Sequence, residues 1–335
     1  MSCIHPLIAF PSRKLSKNGK VQYIPVKAGS AEYDNYFGKH ALELKKDKEL
    51  MPIQIPCGHC IGCRLDKSRE WALRCMMELK ETEENKASFL TLTYNDGKIP
   101  MRYYADPETG LALPCYSLDK RDLQLFWKRL RKSLTEKKIR YFACGEYGSE
   151  TWRPHYHAIV FGYWPEDVRV YERKDTTTYY TSDSLRAIWS NGNVIVAPVN
   201  FDTCAYVARY TAKKASTVGE EFYIAHNLEP PFLAMSRRPG IGWSYFEKHM
   251  DFLAGDRIYL SGPEGLDGSI PKSFLSRIEE LDPETFAEVK ARRTLKGSVY
   301  ERAIAASSKV SYSKLLSDAE ANLLARSKAI KRNKV

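Results

Sequence analysis

The segment Arg153-Pro154-His155-Tyr156-His157-Ala158-Ile159-Val160-Phe161-Gly162 most constrains the fold. A proline-marked turn opens it. A run of β-branched and aromatic residues follows, which predicts a buried strand. Side chains alternate along a strand, so His155 and His157 share one face with Cα atoms roughly 6.5–7 Å apart. Tyr156 and Ala158 point to the other face, into whatever packs behind the sheet. Two imidazoles on one face can hold a divalent cation. Alone, such a pair reads equally well as an exposed strand edge, and its context must decide.

That context comes about fifty residues later. Cys204 to Lys214 has helical spacing, with Asp202 as its expected N-cap. Tyr206 and Tyr210 are one turn apart on one helix face, Lys213 lies on the same side, and Lys214 sits a turn beyond Tyr210. A surface helix with packed tyrosines and solvated lysines has the same pattern. Taken together, the two segments supply halves of one chemistry, transesterification at a DNA phosphate. A phenol is a weak nucleophile, with a pKa near about 10. It needs a phosphorus made electrophilic by a metal and a cation that favours the phenolate. Histidines with a hard oxygen ligand suit Mg²⁺ or Mn²⁺ and leave positions open for phosphate oxygens. Lys213 would lower the tyrosine pKa or neutralise charge on the reacting phosphate. For the oxygen ligand, Ile139 to Tyr147 predicts a strand leading into the histidine strand. If Gly148 to Pro154 closes that hairpin, Glu146 falls beside His155 and His157; the alternative is a turn glutamate held by Arg153 or solvent.

H-hydrophobic-H followed by Y-x-x-x-Y-x-x-K resembles the HUH endonucleases that start rolling-circle replication. The tyrosine helix follows the histidines, as in the replication-initiator branch. The chain is more similar still to the replication initiators of microviruses, gokushoviruses in particular. The stretches carrying this likeness are Pro56 to Arg64, Ser68 to Ala72, Gly145 to Gly148, Arg153 to Gly162, Tyr206 to Lys214 and Met235 to Gly242. They cover roughly residues 50 to 245 in the family's order. The resemblance implies an α+β fold, an antiparallel central sheet of about five strands flanked by helices, with both histidines on its open face. It implies an endonuclease that nicks viral origin DNA, retains a 5′-phosphotyrosine, releases a 3′-hydroxyl and later rejoins the strand. A third polar metal ligand is also implied. Glu146 is the first candidate and Asp96 the second, although Thr93, Asn95 and Asp96 fit better as residues that contact DNA or shape the site. No G-x-x-x-x-G-K-[ST] motif occurs, so a host helicase is the expected source of unwinding and a host DNA polymerase extends the 3′ end.

The chain has eight cysteines. No signal peptide is expected, because Met1 to Phe10 lacks a basic n-region and contains Pro6. Thiols in a reducing host cytoplasm are therefore expected. Cys57-x-x-Cys60-x-x-Cys63 suits a structural zinc knuckle. Cys3 is the first choice as fourth ligand; Cys75 or His59 would serve instead. Such a zinc would tie the N-terminal segment to a helix over about 66–80. Buried reduced thiols without metal are the alternative. Cys115, Cys144 and Cys204 read as core.

The formal net charge of +11 favours polyanionic partners. Basic residues of the helix over 119–135 could line a DNA groove, and Arg237-Arg238 could grip a phosphate. No apolar run is long enough for a membrane span. Three regions are expected: an irregular N-terminal extension over 1–50, a nuclease core with the cysteine knuckle over 51–245, and a helical region with a basic tail over 246–335. Strands are predicted near 88–94, 140–146, 155–161 and 193–198, helices near 66–80, 119–135, 183–190 and 202–214, and a hairpin or insertion over 167–181. Two rival readings remain. One is a non-catalytic zinc-containing DNA-binding protein; the other is a metal-dependent nuclease that uses water.

Overall fold

The computed structural model describes residues 3–15, 21–26, 31, 34–35, 52–82, 86–134, 138–174, 177–213, 219–250, 256–260, 265–307 and 312–330. The chain divides into two compact units, residues 67–302 and residues 1–66 with 303–335.

The larger unit is built on one sheet. Its strands are β4 (Ala87–Thr93), β7 (Arg140–Tyr147), β8 (Pro154–Phe161), β9 (Val168–Lys174), β10 (Thr177–Ser182), β11 (Val194–Pro198) and β12 (Phe232–Met235). They lie in the order β12-β7-β8-β4-β11-β10-β9, and every neighbouring pair is antiparallel. The sheet thus has seven described strands where about five were expected. The hairpin over 167–181 joins it at one edge, and β12, which carries no strong strand pattern, closes the other.

Strand β8 sits at the centre because nearly every residue in it is apolar or shielded. Edge strand β9 is instead largely exposed and charged, as an edge should be. Behind the sheet, Tyr156, Ala158, Val160, Leu90 and Leu92 pack against helices α2 (Lys120–Ser133) and α3 (Asp183–Trp189). Leu123, Phe126, Trp127 and Leu130 recur at helical spacing and form the buried stripe of α2. On the front face, Phe89, Phe142, Cys144 and Ile159 meet Trp71, Ala72 and Cys75 of α1 (Ile61–Lys80) and Cys204, Val207 and Ala208 of α4 (Phe201–Lys213). The face bearing the histidines is therefore covered over much of its length, not open as the resemblance implied. Helix α4 begins one residue before the expected start. Asn200, not Asp202, caps it: Thr203 N–H donates to Asn200 Oδ1 (2.8 Å) and Asn200 N–H donates to Thr203 Oγ1 (2.9 Å).

One glycine fixes the end of β4. A Cβ on Gly192 would lie 2.2 Å from the carbonyl oxygen of Thr93, so only glycine lets this turn cross the strand end. The same carbonyl accepts the Trp189 indole N–H at 2.9 Å and Asn193 N–H at 3.1 Å. Thr93, opposite His155 on β8, is thereby held in register.

Between β4 and α2, hairpin β5 (Met101–Ala105) and β6 (Ala112–Tyr116) forms a separate two-stranded sheet. Past β12, α6 (Trp243–Lys248), hairpin β13 (Arg257–Leu260) and β14 (Leu266–Ser269), α7 (Lys272–Leu281) and the start of α8 (Pro283–Ser307) share a second core. Helix α5 (Glu220–Ala225) lies between α4 and β12.

The smaller unit contains the sheet β2-β1-β3, formed by β1 (Leu7–Leu15), β2 (Val21–Val26) and β3 (Ile53–Ile55), and helix α9 (Tyr312–Ile330). Strands β1 and β2 lie inside the segment that the sequence suggested was irregular. Pro11 hides β1 from a pattern search, because proline usually counts against a strand. It is tolerated because β3 pairs only with Leu7 to Ala9 and stops short of it.

Candidate nuclease and metal sites

Strands β7 and β8 pair so that Glu146 stands directly opposite His155, and Cys144 opposite His157. This is the hairpin register expected of a cross-strand carboxylate. Glu146 Oε1 lies 3.0 Å from His155 Nε2 and 3.0 Å from His157 Nε2. Glu146 and His157 are buried, and His155 is half-buried. Strand alternation alone puts the two imidazoles on one face; the hairpin brings the carboxylate to them.

The outer nitrogens of both rings are held by the scaffold. His155 Nδ1 lies 3.1 Å from the Arg153 carbonyl oxygen, and His157 Nδ1 lies 3.0 Å from Thr91 Oγ1. A carbonyl oxygen only accepts, so His155 carries its proton on Nδ1 and turns the Nε2 lone pair toward Glu146. Phe89 stacks on His157 with ring centroids 5.6 Å apart, which fixes the ring plane. Burial pushes the Glu146 carboxyl up, but hydrogen bonds from His155 and His157, with their charge, outweigh it and hold it below its ordinary value. A carboxylate oxygen and two Nε2 atoms thus converge within 4.8 Å of one another. These are electron-pair donors unless the rings are protonated. A cation at their centre relieves that crowding, so the residues present fit a divalent metal.

Tyr206 reaches the same cluster from α4. Its Oη lies 3.5 Å from His157 Nε2, and its ring stands edge-on to the imidazole with centroids 5.0 Å apart. Phe89 meets the Tyr206 ring edge-on as well. The Arg209 guanidinium lies 5.7 Å from the Tyr206 ring centre, at i+3 on the helix. Tyr210 and Lys213 belong to α4, but their side chains fall outside the described part of the structure, and Lys214 lies outside the described residues.

Asp96 does not join the cluster. It is exposed and pairs with Arg153 at 2.7 Å. Arg153 is therefore engaged away from Glu146. Arg237 and Arg238 are exposed just past β12. Met235 pairs with Phe142, and the Pro239 carbonyl accepts from Arg140, so these arginines lie near the start of β7, six residues from Glu146. At the usual rise this is about 20 Å from the histidines, and the structure does not bring them to the cluster. Thr91 and Arg209 were not singled out from the sequence. Thr91 was recognisable only through the pairing of β4 with β8; Arg209 could have been found from its i+3 spacing to Tyr206.

A second group forms in the smaller unit, where the sulfurs of Cys3, Cys57, Cys60 and Cys63 also lie within 4.8 Å of one another. His59 is exposed, and Cys75 is buried in the front-face core of the sheet. Cys3 is thus the fourth member. Cys144 and Cys204 are core residues as expected, whereas Cys115 is only half-buried.

A family model for the replication-associated protein ORF2 matches residues 87–215, the stretch from β4 through α4. The replication-associated protein VP4 of Bdellovibrio phage phiMH2K is 32% identical over 281 residues, covering 81% of this chain and 81% of that protein. The replication-associated protein ORF2 of Spiroplasma virus 4 is 29% identical over 337 residues, covering 96% and 95%. The replication-associated protein ORF4 of Chlamydia phage 1 is 30% identical over 257 residues, covering 71% and 58%. No solved structure matches the chain. Among the described residues, no helix is long and apolar enough to cross a membrane.

Proposed function

The chain belongs to the family of phage replication-associated proteins, and from that premise we propose that it initiates rolling-circle replication by nicking the origin of a circular viral DNA. The observation carrying this reading is the approach of the Tyr206 phenol to a cluster of two histidines and a glutamate.

His155, His157 and Glu146 hold one Mg²⁺ or Mn²⁺. Bound there, the ion draws charge from a phosphate oxygen and makes the phosphorus more electrophilic. The Arg153 carbonyl and Thr91 keep both rings aimed at that position. Phe89 keeps water from the inner side of His157. Tyr206 supplies the nucleophile. Its Oη–P bond forms as the P–O3′ bond breaks, and the phenolic proton is balanced by the proton taken up at the departing 3′ oxygen. One ester is made for each ester broken, so the linkage energy is kept. Arg209, and Lys213 further along α4, favour the phenolate by their charge. Tyr210, one turn on, cleaves the regenerated origin, and the freed 3′-hydroxyl then attacks the first phosphotyrosine and closes a circle. A host polymerase extends the 3′ end, and a host helicase separates the strands. Lys214, Arg237 and Arg238 grip DNA phosphates, the two arginines some distance along the strand from the cut.

The test uses the full chain, Mn²⁺ and labelled single-stranded oligonucleotides tiling the intergenic regions of the encoding genome. A denaturing gel should show a covalent protein–DNA adduct that disappears in Tyr206→Phe/Tyr210→Phe. Cleavage without an adduct points to a water-using nuclease. Binding without cleavage points to a non-catalytic DNA-binding protein. Either result overturns the proposal.

A further inference from the structure

We propose that Cys3, Cys57, Cys60 and Cys63 are the four thiolate ligands of a single structural zinc ion, in a site separate from the nuclease cluster and independent of its chemistry.

Geometry is the first argument. Cys3 and Cys60 sulfurs lie 3.9 Å apart, and Cys57 and Cys63 sulfurs 4.0 Å apart. A tetrahedron with Zn–S bonds of about 2.3 Å has edges near ~3.8 Å. Both gaps are about twice the ~2.05 Å of a disulfide, so these are cysteines gathered around a centre and not bonded in pairs.

The backbone is the second. Cys57 N–H donates to Cys3 Sγ at 3.2 Å, and Cys60 N–H to Cys57 Sγ at 3.3 Å. Cys60 Sγ accepts from Cys63 N–H and from Ile4 N–H, both at 3.5 Å. Peptide donors aimed at sulfur favour the thiolate, the form that binds metal. Gly58, in the left-handed region at φ +79°, makes the tight turn that brings Cys60 N–H back onto Cys57.

The cover is the third. Ile4 is buried beside Cys3 and Cys60, and Ile61, Leu316 and Leu323 pack on the same cluster. His5 reaches Glu320 of α9 at 3.0 Å rather than the sulfurs. Four thiolates under an apolar cover would repel one another strongly; a zinc ion offsets that charge, and the cover keeps water from a fifth position. The donor set is all sulfur, which selects a soft thiophilic cation over the Mg²⁺ or Mn²⁺ suited to histidine and carboxylate.

The experiment purifies the full chain from zinc-replete medium and measures bound metal by mass spectrometry. Stoichiometric zinc is expected, with these four cysteines protected from alkylation until a strong chelator is added. Replacement by Co²⁺ should give the charge-transfer and ligand-field absorption of a tetrahedral tetrathiolate. Glu146→Gln should retain this metal, which separates the site from the nuclease cluster. Cys3→Ser should weaken zinc binding more than tenfold and shift the Co²⁺ spectrum to three thiolates. Because that variant could fail to fold, the wild-type Co²⁺ spectrum stands as an independent count of the ligands. Metal-free protein, four freely alkylated cysteines, a wild-type spectrum of fewer than four thiolates, or a folded Cys3→Ser with an unchanged spectrum would each overturn the proposal. None of these results bears on adduct formation at Tyr206.

Discussion

Tyr206 Oη lies 3.5 Å from His157 Nε2, with the planes of the two rings at 88°. The contact joins a helix to a strand across 49 residues of chain. It exists because two periodicities meet: alternation along β8 turns His157 forward, and the buried face of α4, set by Cys204, Val207 and Ala208, leaves Tyr206 at the helix flank over the cluster. The distance is longer than a strong hydrogen bond, as is common before a substrate draws catalytic groups together.

Tyr206→Phe removes the oxygen and keeps the ring on Phe89 and His157. We expect thermal stability to change by less than about 0.5 kcal/mol, as for substitutions that leave packing intact. Mn²⁺ binding and origin binding should persist. Peptide mapping of the adduct should find DNA on Tyr210 alone. Phenylalanine cannot carry the adduct, so the decisive comparison is yield: an unchanged yield at unchanged rate would remove Tyr206 from the first cleavage.

Thr91 does its work through His157. Its hydroxyl holds Nδ1 at 3.0 Å and so sets the direction of Nε2. Groups that orient a metal-bound histidine typically contribute 10–100-fold in metal affinity. Thr91→Val should therefore lower Mn²⁺ affinity by ~10–100-fold at nearly constant volume, while Thr91→Ser restores most of it. A calorimetric Mn²⁺ titration of both variants checks this. Equal affinities for Val and wild type would show that Phe89 alone suffices to hold the ring.

The legible part of this site was the part written in short-range periodicity. His155 and His157 on one face follow from alternation, Tyr206 and Tyr210 from the helical repeat, and Glu146 from one hairpin. What depended on distant pairing was not legible. Thr91 meets His157 only through the register of β4 with β8, 66 residues apart. Arg237 and Arg238 could not be located without β12, whose four residues carry no alternating pattern. Strand β1 was concealed by Pro11. The fourth sulfur could be narrowed but not chosen, since Cys3, His59 and Cys75 are equally available along the chain and differ only in where the fold puts them. The helix cap was missed by two residues because Asn200 and Asp202 are both good caps, and the answering Thr203 decides between them.

Tyr156 lies between the histidines in sequence but points into the rear core. Its hydroxyl donates to the Asp119 carbonyl at 2.7 Å, accepts from Asp119 N–H at 3.0 Å, and lies 2.8 Å from the Tyr94 hydroxyl, which in turn donates to Asp122. Tyr156→Phe leaves the Asp119 N–H and carbonyl buried without this partner. A loss of about 1–3 kcal/mol is expected. Denaturant unfolding should show that loss, while Mn²⁺ affinity under native conditions stays within a few-fold, because the substitution sits behind the sheet. A large drop in affinity with little loss of stability would mean that β8 itself shifts.

Asp167 gives the fold a distinct acid sensitivity at the start of α3. Ser182, the N-cap, accepts from Leu185 N–H at 3.1 Å and donates to Asp167 Oδ1 at 2.6 Å; Ser184 donates to Asp167 through N–H at 2.8 Å and through its hydroxyl at 2.9 Å. Burial pushes the Asp167 carboxyl up, but the bonds from Ser182 and Ser184 outweigh it and hold it below the ordinary aspartate value. The folded pKa is therefore lower than the unfolded value of about 3.9. Stability from this group is fully present above that unfolded value and is lost as pH falls through the folded one. Asp167→Asn should cost about 1 kcal/mol at neutral pH, the scale of a lost helix cap. Below about pH 3.9 the two proteins should converge, since the wild-type carboxyl is then becoming neutral as well. Urea unfolding of both at pH 7 and at successively lower pH measures the difference; a gap that stays constant with pH would show that the ionised carboxylate is not what holds the two serines.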